Sequence, residues 1–112
     1  MSYKVELKSS YIHIKFGEDC YSSEDFHELK ILTSKHKNRH IILNLLTVEE
    51  FQNIELLIGH QFQRIEDDLS FIIIVRESLM ILFNEDLPIV PTYGESIDFF
   101  EMDEIQRKLL EE

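Results

Sequence analysis

R-H-I-I-L-N-L-L-T-V-E-E-F-Q-N-I-E-L-L-I-G-H-Q-F-Q-R-I-E-D-D-L, residues 39 to 69, joins a short apolar run to a long segment of helical period. Its apolar run, Ile41 to Leu46, is interrupted only at Asn44 and is too short for a helix of ordinary length, so a buried strand is expected. Phe51, Ile54, Leu57, Ile58, Phe62, Ile65 and Leu69 then recur by threes and fours, the period of an amphipathic helix. A buried strand feeding such a helix is the core unit of a βαβ fold, and the loop between them is where such folds usually act. That turn, Thr47 to Glu55, is the first place to look for chemistry.

Upstream, Tyr3, Val5 and Leu7 alternate with charged residues, and Tyr11, Ile12, Ile14 and Phe16 follow the break at Ser9-Ser10. The pair reads as an antiparallel hairpin, ended by Gly17-Glu18-Asp19. Ser22 with Asp25 forms a capping box for a helix carrying Phe26, Leu29 and Leu32. The basic cluster Lys35 to Arg39 suits the negative end of that helix better than it suits an anion. Downstream, Asp67-Asp68 closes the central helix, and Phe71 to Val75 is a strand apolar on both faces. Leu79 to Asn84 is too short for periodicity to separate helix from strand. Asp86 to Pro91 reads as an extended edge segment, and Thr92 with Glu95 as a capping box opening the last helix. The stripe of that helix, Ile97, Phe100, Met102, Ile105, Leu109 and Leu110, is broad enough to cover a partner as well as a sheet.

The 112 residues suffice for one core, and a single domain over residues 1–112 is expected. With 22 acidic and 11 basic residues the net charge is −11, a field that repels nucleic acid and anionic membranes and favours basic protein partners or simply solubility. One cysteine, Cys20, allows no internal disulfide and no metal framework. The N-terminal M-S-Y-K-V-E-L-K lacks a signal or transit pattern, and no apolar run approaches a membrane span, so a soluble, cytoplasmic protein is expected.

Five histidines show no metal-ligand spacing, and three glycines cannot build a phosphate-cradling loop. The acidic pairs Glu49-Glu50 and Asp67-Asp68 diverge on a helix rather than converge on a substrate. Neither a catalytic set nor a cofactor is indicated.

I-I-L-N-L-L-T-V-E-E-F-Q-N-I-E-L-L, together with I-V-P-T-x-x-E-S-I-D-F-F and M-D-E-I-Q-R-K-L near the end, resembles the STAS domain of bacterial anti-sigma-factor antagonists. The resemblance implies an α/β fold: a four- to five-stranded mixed β-sheet with helices packed mainly on one face. In that family a strand leads through a short loop to D-S-[ST]-G-L, and a partner kinase phosphorylates the serine at the next helix's mouth to control binding to an anti-sigma factor. Laid over this chain without gaps, the aspartate falls on Gln52, the phosphoacceptor serine on Asn53, the next hydroxyl on Ile54, the glycine on Glu55 and the leucine on Leu56. Asn53 has no hydroxyl, and Glu49, Glu50 and Glu55 would repel a phosphate there.

Thr47 with Glu50 makes a T-x-x-E capping box, which predicts a helix beginning a turn earlier than in the family, with Asn53 inside it. The expectation is a degenerate, non-catalytic STAS-like module that binds a regulatory protein without phosphate control. Its candidate partner-binding surface is Thr47, Glu49, Glu50, Gln52, Asn53 and Glu55. The alternative is a small-molecule or lipid site, with an apolar pocket between the central helix and Phe71 to Val75. A homodimer through an apolar surface around Leu79 to Phe83 is also compatible with the sequence.

Overall fold

The computed structural model describes residues 3–111. Two strands, β1 (Tyr3–Leu7) and β2 (Tyr11–Phe16), form the expected antiparallel hairpin, closed by the Lys8 amide donating to the Tyr11 carbonyl at 3.0 Å. A short β3 (Cys20–Tyr21) precedes α1 (Ser23–Ser34). The central strand is β4 (His40–Asn44), followed by β5 (Glu50–Phe51) and α2 (Ile54–Glu66). Then come β6 (Phe71–Ile74), a 3-10 helix over Glu77–Leu82, the edge strand β7 (Ile89–Val90) and α3 (Tyr93–Glu111). Leu79 to Leu82 are therefore helical, in the tight form that short connectors adopt.

Five strands make one mixed sheet in the order β1-β2-β4-β6-β7, parallel except for the opening hairpin. From β2 onward each new strand adds at the same edge. The alternation of side chains then sorts the residues to two faces. Ile12, Ile14, Phe16, Ile41, Leu43, Phe71 and Ile73 line one face and are buried with Leu29 of α1 and Leu57 of α2. Ile42, Ile72 and Ile74 line the other face under Phe100 and Ile97 of α3.

Two helices thus share one face, while α3 alone covers the reverse. The expectation of helices mainly on one face is met by α1 and α2, with α3 packed on the reverse. Physically, β4 and β6 are apolar on both sides, so each face needs its own cover.

Helix ends follow local chemistry where the sequence supplies it. The Ser22–Asp25 capping box is complete: the Asp25 amide donates to Ser22 Oγ at 3.2 Å, and the Ser22 amide donates to Asp25 Oδ2 at 2.9 Å. At the C-terminus of α2, Asp68 takes a left-handed conformation (φ 65°). There the Leu69 amide reaches the Arg64 carbonyl and the Asp68 amide reaches that of Ile65, both at 3.0 Å, which is a Schellman closure. The basic cluster follows α1 rather than ending it. From it, Arg39 donates to the Lys8 and Tyr11 carbonyls, holding the hairpin turn against the start of β4. Among the described residues no helix is long and apolar enough to cross a membrane.

Candidate functional site

The loop between β4 and α2 is built differently from the sequence expectation. Thr47 does not cap a helix: its hydroxyl points to the Phe16 carbonyl at 3.0 Å and to that of Glu18 at 2.8 Å. Glu50, the would-be reciprocal cap residue, instead lies in β5, which pairs in parallel with β3. The Glu49 amide donates to the Asp19 carbonyl at 2.7 Å and the Gln52 amide to the Tyr21 carbonyl at 2.8 Å. A two-strand strap therefore takes up the residues that the capping signature assigned to a first helical turn. Tertiary partners outcompeted a local cap worth about 1 kcal/mol.

As a result α2 begins at Ile54, and Asn53 sits at its mouth rather than inside it. Asn53 is left-handed (φ 51°, ψ 50°), a conformation asparagine tolerates better than most residues. Its side chain makes no cap bond to α2 and donates instead to Ser23 Oγ at the start of α1. Glu49, Glu50, Gln52, Asn53 and Glu55 are all exposed, and the six candidate residues occupy one continuous loop and helix start. Glu49 is partly neutralised by Arg76 Nη1 at 3.1 Å, and Arg76 Nε also donates to the Leu46 carbonyl. Both side chains of that pair are well exposed, so its worth is in holding the loop more than in energy.

Beneath the loop lies an aromatic floor. Tyr21 packs edge-on against Phe16 at 5.0 Å and tilted against Phe51 at 6.0 Å, while Phe51 meets Phe83 edge-on at 5.4 Å. Val48 and Leu45 are fully buried, so the loop is pinned from below at several points. Tyr3 donates to the Asp25 carbonyl at 2.7 Å and shares a 2.6 Å hydroxyl contact with Tyr21. Burial holds both phenols well above their ordinary range, so they stay neutral. Cys20 lies beside Glu50 in the strap; desolvation and that carboxylate raise its thiol, which opposes nucleophilic reactivity.

A polar chain links the loop to the hairpin. The Leu46 amide donates to Asn44 Oδ1 at 3.1 Å, and Asn44 Nδ2 approaches His13 Nε2 at 3.4 Å. That leaves the His13 proton on Nδ1, where it donates to Glu6 Oε1 at 2.8 Å. Burial lowers His13 despite the Glu6 carboxylate, while the hydrogen bond from His13 lowers Glu6, so a neutral imidazole facing a carboxylate satisfies both. Asn44, the polar interruption in the apolar run, is the residue that closes this chain.

Two constellations escaped the sequence because their members lie far apart in the chain. Ser70, His40, Asp103 and Arg107 meet at the start of β6. Ser70 Oγ donates to Asp103 Oδ2 at 2.9 Å and accepts from Arg107 Nη2 at 2.7 Å, while the Ser70 amide donates to His40 Nδ1 at 3.0 Å. The hydroxyl faces a carboxylate and a cation, and the imidazole bonds the backbone. The cluster thus fastens α3 to the sheet.

Secondly, Gln61 is fully buried in α2 and donates to the Phe71 and Pro88 carbonyls, both at 3.0 Å, which sets where β7 begins. Arg64 is also buried and donates to the Arg39 and His36 carbonyls. Among the described residues no group of three histidine, cysteine or acidic side chains is placed to hold a metal ion.

A scan against protein-family models returns no match to this chain, and a search of the curated proteins returns none either.

Proposed function

We propose that the chain is a STAS-like protein-interaction domain, resembling anti-sigma-factor antagonists, that acts without catalysis. It engages a regulatory protein through the acidic mouth of α2 and is not controlled by phosphorylation there. The observation that carries this reading is Asn53: left-handed, exposed, at the head of α2, where a phosphoacceptor serine would stand in the family it resembles. An amide cannot take a phosphoryl group, and Glu50 and Glu55 oppose a phosphate at that helix end. The strap between β3 and β5 supports the same reading, because a loop fixed before binding loses less entropy on docking.

The alternative of an apolar ligand between α2 and Phe71 to Val75 has no observation in its favour. Leu57, Phe71, Ile73 and Val75 are buried there and packed in one cluster. Incubation with ATP and serine kinases of the anti-sigma-factor type tests the proposal. No phosphate on the chain is expected, and stoichiometric phosphorylation would overturn it.

A further inference from the structure

The last helix is apolar on two sides. Ser96 and Phe100 are buried toward the sheet, and Arg107 continues that side to its contact with Ser70. At about 100° per residue, Met102, Ile105 and Leu109 fall on the side turned away from the sheet, at i, i+3, i+7 spacing. They are 58%, 54% and 65% exposed. Apolar residues scattered singly over a surface need no explanation, but three in coiled-coil register form a stripe. The preceding turns of the same outward side carry Glu95, Asp98 and Glu101, all exposed. An acidic segment thus leads into an apolar one along a single helix face.

We propose that this outward face of α3 docks a basic amphipathic helix of another protein. The partner's apolar side chains cover Met102, Ile105 and Leu109, and its lysines or arginines face Glu95, Asp98 and Glu101. Charge selects this occupant. A second copy of the chain would bring the same acids and another net charge of −11. An anionic lipid surface meets the same repulsion. An added β-strand is disfavoured at the nearby sheet edge, where Pro88 and Pro91 flank β7 and supply no N–H. The surface lies across the sheet from α2, so its failure leaves the reading of the α2 mouth untouched.

The test is an NMR titration of the whole isotope-labelled chain with a synthetic leucine/lysine amphipathic peptide of about four helical turns. A leucine/glutamate peptide of the same pattern is the comparison. Shifts confined to α3 are expected with the lysine peptide and none with the glutamate peptide. The double variant Met102→Ser, Leu109→Ser should weaken binding roughly tenfold through lost apolar burial. The triple variant Glu95→Gln, Asp98→Asn, Glu101→Gln should weaken it several-fold and flatten its salt dependence. Circular dichroism of these surface variants should match the parent, confirming that they fold. Equal binding of both peptides, shifts centred on Glu50 and Glu55 of the α2 mouth, or binding unchanged in the variants would each overturn the proposal. So would concentration-dependent dimerisation abolished by the serine variant, which would make the face a self-interface.

Discussion

His60 gives the sharpest test of how α1 and α2 are joined. Its ring stands edge-on between Phe26 at 5.9 Å and Phe71 at 5.6 Å, with Nε2 3.1 Å from the Thr33 hydroxyl. Thr33 donates to the Lys30 carbonyl at 3.2 Å, so its oxygen accepts from a neutral His60 carrying its proton on Nε2. Burial, with Arg64 and Lys30 nearby, pushes the imidazole from 6.5 down to about 4. The unfolded chain takes up this proton near pH 6.5 and the folded chain only near 4, so the unfolded state binds more protons throughout that window. Stability contributed by neutral His60 is therefore complete above pH 6.5 and is lost as the pH falls toward 4. The full gap corresponds to about 3.4 kcal/mol. The ring keeps some contact with water, which screens the effect, and halving leaves about 1.5–2 kcal/mol.

Urea unfolding of the parent and of His60→Gln, compared between pH 7.5 and 4.5, isolates this contribution. Burial also lowers His13 and His40, but they are common to both proteins and cancel in the difference. The parent should lose most of that 1.5–2 kcal/mol beyond what the variant loses. Parallel stability curves, or a His60 resonance titrating near pH 6.5, would show that the folded protein does not hold this imidazole neutral.

Two further outcomes follow from the loop and the end of α2. Thr47→Val removes the hydroxyl that reaches the Phe16 and Glu18 carbonyls, at a cost of about 1–2 kcal/mol in urea unfolding, whereas Thr47→Ser should recover most of it. In the valine variant hydrogen exchange should quicken at the Glu49 and Gln52 amides of the strap; quickening confined to the first turn of α2 would restore the capping role. Asp68→Gly should raise stability by about 0.5–1 kcal/mol, since glycine takes the left-handed conformation freely and removes an acid from a helix C-terminus. An unchanged or lowered melting temperature would contradict the Schellman closure.

Much of this fold is legible in the sequence because short-range rules suffice for it. Alternation places β1 and β2, the Ser22–Asp25 box starts α1, and the two apolar runs place β4 and β6. The failures share one cause. Thr47 and Glu50 carry a valid capping signature, but their partners lie in another loop, and pairing with β3 decides their structure. Two-residue strands leave no period to read. The 3-10 helix over Glu77–Leu82 is likewise too short for periodicity to decide. Within the candidate site, the residues and their exposure follow from their position between strand and helix. The left-handed Asn53 and the strap beneath it required long-range contacts that no local pattern encodes.

Docking of a protein on the acidic mouth of α2, as proposed, can be read by photo-crosslinking in an extract of the source cells. A photoreactive residue replaces exposed Gln52, with Ile31 on α1 as the control position. One discrete protein adduct is expected at position 52, absent at position 31 and lost when Glu50→Lys and Glu55→Lys reverse the local charge. No adduct at 52, or the same adducts at both positions regardless of charge reversal, would contradict it.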